Sequence, residues 1–235
     1  MLIEMARLSR DQQRKQKLAE RQRRLVALAQ RRAVTTGLAV KERMAEAVHA
    51  AVCAVTGGSG PGRCAHYAVA GAVLATVVTG KQYIPQAGSL YLSADPADPT
   101  LYTAMVAEDG IESGEFHCWC VGPVEEGRKS GPVTPDQEFV DFSARHFKAL
   151  VEKLGVVEDR QRLRGGGFLT VFGPATTRWR RPDPPKFIWS NLAGLPEWVK
   201  YEADQAATET LFRELADFEP VINLAGQHYV GAKGT

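Results

Sequence analysis

Cysteine is scarce in this chain: four residues among 235 are too few to staple a fold of this size with disulfides. An excess of one charge is lacking too, because 29 Lys and Arg nearly cancel 27 Asp and Glu. That balance excludes a uniformly basic nucleic-acid binder. No apolar run is long enough to span a bilayer; the longest, residues 65–79, holds His66 and Tyr67 and reads as a buried helix. There is no internal repeat, and charges stand where a secretory signal needs an apolar stretch. With 44% hydrophobic residues, what remains is an ordered domain whose core is held by apolar burial and whose thiols are free. A cytoplasmic protein that engages no membrane is the expectation.

What is present is uneven. Residues 1–32 hold ten Arg or Lys against three Asp or Glu, leaving the rest of the chain mildly acidic. Ser9 followed by Gln12 resembles a capping box, and residues 10–32 are rich in Gln, Arg, Lys, Ala and Leu, all good helix formers. Leu8, Leu18, Leu25 and Leu28 are too widely spaced for a continuous apolar seam. We therefore expect a basic helical arm at 1–32, solvated or docked on an anionic or nucleic-acid partner, ahead of one domain over 33–235.

Within that domain, Val40, Met44, Val48, Val52 and Val55 recur every three to four residues and predict a helix over 38–55, stopped by Gly57 and Gly58. The segment 57–62 reads GGSGPG and is a loop. It delivers the chain to Arg63, Cys64 and an Ala/Val-rich helix that ends at 79–81. Short strand-like runs follow at 88–94, 101–108, 115–121, 138–143 and 168–172. Helical spacing returns over 142–154 and 196–218, and the proline-rich stretch 181–185 reads as a surface connection.

Cys64 follows a glycine-rich loop at the first turn of a helix. Free backbone N–H groups and the positive end of the helix dipole there favour thiolate over thiol. The same N–H groups suit an oxyanion, and Gly62 leaves room for a substrate backbone. Strand alternation puts His117 and Trp119 on one face and Cys118 and Cys120 on the other. A zinc site drawing on His117, Cys118 and Cys120 would need ligands from both faces of one strand, and no CxxC pair occurs, so no metal is expected. Cys118 and Cys120 read as core. The run 138–143 places Phe139, Asp141 and Ser143 together. Paired antiparallel with the His117 strand, in a register that opposes Asp141 to His117 and Phe139 to Trp119, it would let the carboxylate accept the imidazole N–H. His66 projects away from Cys64, His49 reads as structural, and His146 as a surface or rim residue.

Gly62-Arg63-Cys64 opening an Ala-rich helix, then His117 and Trp119 as H-x-W, then Asp141 and Ser143 as D-x-S, resembles the transglutaminase-like enzymes of the papain-like fold. Arylamine N-acetyltransferases and bacterial leader-peptide peptidases share that Cys, His, Asp order. The resemblance covers roughly residues 57–147. It implies an α+β fold in which the cysteine helix packs on an antiparallel sheet, here with an N-terminal basic helix and a C-terminal helix added. It also implies Cys64 as nucleophile, His117 as base and Asp141 as its orienter; Gly62 and Trp119 are the expected substrate contacts. One departure is the glutamine that papain-like peptidases place shortly before the cysteine: none lies between 51 and 63. Gln86 and Tyr83 are the candidates for a second oxyanion donor.

The expected chemistry is an acyl-enzyme formed on a peptide, amide or thioester, resolved by water in a hydrolase or by an amine in an acyltransferase or transglutaminase. No metal or organic cofactor is implied. Two other classes stay open: a binding module that uses the basic arm, and a redox switch through Cys53 and Cys64.

Overall fold

The computed structural model describes residues 37–58, 62–97, 102–104, 116–125, 137–154, 159–162, 168–171 and 179–232. The expected arm at 1–32, with its Ser9–Gln12 box, lies outside them, as do residues 59–61 of the glycine-rich loop and most of the strand expected at 101–108.

Helix α1 (Leu38–Thr56) buries Met44, Ala45, Ala47, Val48, Ala51 and Val52, the stripe its sequence spacing requires. Helix α2 (Cys64–Thr79) is buried nearly all round, from Tyr67 to Ala75. It lies between the sheet on one side and α1 and α5 (Glu219–Gly231) on the other. That position explains its lack of a polar face. Gly80, left-handed at φ 70°, ends it by returning its N–H to the Thr76 carbonyl at 2.9 Å.

The main sheet is wholly antiparallel and has six strands among the described residues. Strand β1 (Ile84–Ser93) takes three partners: β3 (His117–Gly122) along its first half, and β2 (Tyr102–Ala104) and β8 (Val199–Ala203) along its second. Beyond β3 come β4 (Glu138–Asp141) and β7 (Ile188–Asn191). Strands β5 (Asp159–Arg162) and β6 (Phe168–Val171) form a separate pair. The short helix α3 (Phe147–Leu154) follows β4 through a single 3-10 turn, Ala144–His146. Helix α4 (Gln205–Arg213) begins at Asp204, whose carboxylate accepts the Ala207 N–H at 2.8 Å. Among the described residues no helix is long and apolar enough to cross a membrane.

The two faces of the sheet carry different cores. Ala87, Cys118, Cys120 and Val140 pack with α1, α2, α4 and α5. Trp119, Val121 and Phe139 pack with Tyr201, while Leu90 and Leu92 pack with Phe147, Val151 and Trp179. The architecture is therefore α+β: α1, α2, α4 and α5 are layered on one face of a curled antiparallel sheet, and α3 packs on the other.

Three expectations need correction. The run 196–218 is not one helix: Val199–Ala203 is a strand paired with β1, and α4 starts only after it. Here long-range pairing along β1 outweighs the local pattern. The run 142–154 is broken into the 3-10 turn and α3 because Ser143 turns back onto Asp141. The register of β3 and β4 opposes Val121 to Phe139 and Cys120 to Val140, a shift of two residues from the expected pairing. That register is anchored at its far end. There Gly122 faces Glu138, the Tyr83 hydroxyl donates to the Glu138 carboxylate, and a Cβ on Gly122 would stand 2.4 Å from the Tyr83 ring. A two-residue slip preserves every side chain's face, so Asp141 stays on the His117 side.

Candidate active site

Cys64 comes from one side of the sheet and His117 from the other. They meet at the end of β3, where His117 is the first residue. Gly62, with φ 89° and open space where a Cβ would be, takes the left-handed turn that sets α2 in place. The next residue, Arg63, supplies no side-chain cap to the helix, as expected of a guanidinium, which has no acceptor for the first-turn N–H groups. Cys64 is partly exposed, whereas His117 and Asp141 are 2% and 1% exposed. Cys64 thus reaches the surface in part, while His117 and Asp141 are sealed inside.

The imidazole of His117 is held through Nε2, which lies 2.7 Å from Asp141 Oδ2. The ring reaches diagonally across the two-residue offset, a span available to long side chains. Asp141 is fully engaged. Its Oδ2 also accepts the Tyr201 hydroxyl at 3.0 Å, and Oδ1 accepts the Ser143 N–H at 2.8 Å and the Ser143 hydroxyl at 2.7 Å. Burial alone would raise this carboxyl, but the facing imidazole and the two Ser143 donors hold it below the usual carboxylate range. For His117 burial also disfavours charge, yet the charge and hydrogen bond of Asp141, together with Cys64, carry its pKa up to about 10.

With Nε2 taken by Asp141, Nδ1 is the ring nitrogen left for Cys64. The Cys64 thiol donates to the Phe116 carbonyl at 3.3 Å, which favours the protonated form. Three donors act the other way: the Cys118 thiol first, then His117, and last the Cys118 backbone N–H. Against the opposing effect of burial, they hold the Cys64 pKa well below that of an ordinary thiol. Cys118, by contrast, is pushed up by burial and by its donation to Cys64. The arrangement favours a thiolate–imidazolium pair fixed by a buried carboxylate.

Trp119, expected to touch substrate, is 1% exposed and stacks on His117, with ring centroids 6.3 Å apart and planes 19° apart. What it offers is a flat wall behind the imidazole. Tyr83 gives its hydroxyl to Glu138 at the far end of β3, so it is not placed to act as an oxyanion donor at Cys64. Gln86 is buried opposite Trp119 on β1. His66 packs edge-on against Phe218 at 5.0 Å. Cys53 lies beside His49 at 3.8 Å, on α1 rather than at the Cys64 sulfur.

Sequence reasoning missed a second polar cluster. The Tyr67 hydroxyl lies 2.7 Å from His49 Nδ1 and 3.0 Å from His146 Nε2, joining α1, α2 and the turn after Asp141. Both histidines are pulled below the ordinary imidazole value, chiefly by burial, with Arg145 and Lys186 or the other ring adding to it. Glu46, ion-paired with Arg145 at 3.4 Å and Lys186 at 2.9 Å, borders the cluster on α1. No group of three metal-ligating side chains forms among the described residues. Tyr201 was also missed, because its strand was read as helix. Cys118 was read as core only, and the residue spacing gave no sign that α2 runs alongside β3.

No family model matches the chain, and no curated protein matches it. A solved structure titled as that of a genomics target aligns with a TM-score of 0.46 at 14% identity, over 80% of this chain and 76% of that chain.

Proposed function

We propose that the protein is a cysteine-dependent acyl-transfer enzyme, most simply a hydrolase of amides or thioesters, built on a papain-like or transglutaminase-like core. The observation that carries this reading is His117, buried with one ring nitrogen 2.7 Å from Asp141 and its pKa raised by that carboxylate and by Cys64. Cys64 is the nucleophile, His117 the proton carrier, and Asp141 the group that fixes the imidazole's tautomer and charge. Ser143 and Tyr201 fix Asp141 in turn.

In this reading the Cys64 thiolate adds to the carbonyl carbon, and the oxygen that becomes negative is met by the Cys64 backbone N–H at the start of α2. The His117 imidazolium gives its proton to the departing amine or thiolate as the carbon–leaving-group bond breaks. That leaves an acyl-thioester on Cys64 and a neutral imidazole. Water then loses a proton to His117 as it attacks, releasing the acid and restoring the pair. Hydrolysis is favoured over transfer because water needs no acceptor pocket, and Gly62 keeps the approach to the sulfur open.

The test is intact-mass spectrometry of the full chain mixed with an activated acyl ester. One acyl group is expected on wild type, mapping to Cys64 and decaying with time. His117→Ala should slow acylation by at least about a hundredfold, and Cys64→Ala should carry no adduct. Equal acylation of wild type and Cys64→Ala would overturn the reading.

A further inference from the structure

Helix α2 runs along β3 with matched spacing. Four helical residues rise about 6 Å and two strand residues about 6.6 Å. The Cys120 thiol donates to the carbonyl of Ala68 at 3.1 Å. One helical turn earlier is Cys64, and two strand positions earlier is Cys118, so the same rows bring these two side chains together. The two thiols answer to one another in the same sense: Cys118 pulls the Cys64 thiol down, and Cys64 pushes the Cys118 thiol up. The helix sits close here: a Cβ on Gly71 would stand 3.4 Å from the Cys120 sulfur and 2.2 Å from the Phe142 ring. A partly exposed cysteine thus shares neighbouring rows with one that is 1% exposed, beside a loop whose glycines at 57, 58 and 62 all have positive φ.

We propose that Cys64 and Cys118 form a reversible oxidative modification site: a peroxide oxidises Cys64, and Cys118 resolves the product as an intramolecular disulfide. In the first step the Cys64 sulfur attacks one peroxide oxygen, the O–O bond breaks, and hydroxide leaves, giving a sulfenic acid. In the second step the Cys118 sulfur attacks the sulfenic sulfur. An S–S bond forms, the S–OH bond breaks, and the departing hydroxide leaves as water with the Cys118 proton. Each disulfide consumes one peroxide and yields two waters overall. Oxidation begins at Cys64 because only that residue of the pair combines partial exposure with thiolate character, while Cys118 waits, shielded, in the neighbouring row. The disulfide would block the nucleophile of the proposed enzyme while protecting it from irreversible oxidation. The inference shares with that proposal only the thiolate character of Cys64.

The experiment treats the full chain with hydrogen peroxide and maps its thiols by peptide mass spectrometry before and after a dithiol reductant. Wild type should give a Cys64–Cys118 cross-linked peptide, lose iodoacetamide labelling at Cys64, and regain it in full on reduction. Cys118→Ala should instead carry Cys64 as sulfinic or sulfonic acid, which the reductant does not restore. Cys53→Ala should still form the cross-link. Irreversible oxidation of Cys64 in wild type, or a cross-link to Cys53 or Cys120, would overturn the proposal. Labelling of untreated Cys64 at neutral pH separates the two ideas. Slow labelling would sink the proposed enzyme, whereas rapid labelling without a cross-link would sink the disulfide alone.

Discussion

The molecule holds two sets of buried or half-buried imidazoles, and they are pushed in opposite directions. At the end of β3, His117 is raised to about 10; around Tyr67, His49 and His146 are lowered. Burial is the largest single influence on all three, and for all three it disfavours the charged ring. What separates them is the partner. His117 faces a carboxylate whose own charge is secured by Ser143 and Tyr201. His49 and His146 share a neutral phenol with Arg145 and Lys186 nearby, and Glu46 is already paired with those two cations. Only four residues lie between Asp141 and His146 along the chain. Over that short distance the fold builds one site that keeps a proton and one that sheds it.

Exchanging that partner should give the largest effect. Asp141→Asn keeps the shape but removes the charge, so the His117 pKa should fall from about 10 toward or below the ordinary ~6.5, as read by histidine NMR. Alkylation of Cys64 at neutral pH should slow by roughly a hundredfold or more. A buried pair broken from one side should also cost about 3–5 kcal/mol in denaturant unfolding. Tyr67→Phe should cost less, about 1–3 kcal/mol, because it strips two half-buried imidazoles of a shared hydroxyl. It should leave the His117 titration unchanged; a shift there would show that the two sets are one network.

The smallest effect is a pH dependence. His49 and His146 titrate lower in the folded chain than in the unfolded one, so the unfolded state binds more protons as pH falls below ~6.5. The stability they contribute is present above that value and is lost as pH drops through their depressed folded values. His117 has the opposite sign: its contribution is complete below ~6.5 and is lost as pH rises through about 10. His146→Gln should therefore flatten the acid side of the thermal-stability profile and leave the alkaline side unaltered. If the acid side kept its slope, the lowered imidazoles would not be its source.

Much of the Cys64 site was legible because it is local. Gly62 before Cys64, the alternation of His117 with Trp119, and that of Asp141 with Ser143 each specify a turn or a face within a few residues. The register was not legible. It is set at the other end of β3 by Gly122, Tyr83 and Glu138, which say nothing locally about pairing. Tyr201 escaped because VKYEA becomes a strand only when β1 offers an edge. The Tyr67 cluster escaped because its members come from three elements whose packing no periodicity encodes. The pairing of Cys118 with Cys64 needed the helix-to-strand alignment, which is a tertiary fact.

The most direct test of the account is the ultraviolet thiolate titration of the full chain, taken as wild type minus Cys64→Ala. A thiolate–imidazolium pair predicts that the absorbance attributable to Cys64 is already present at neutral pH, with its step well below the ordinary thiol value of ~8.5. A step at or above that value would mean that the Phe116 carbonyl and burial prevail over Cys118 and His117, and would contradict the account.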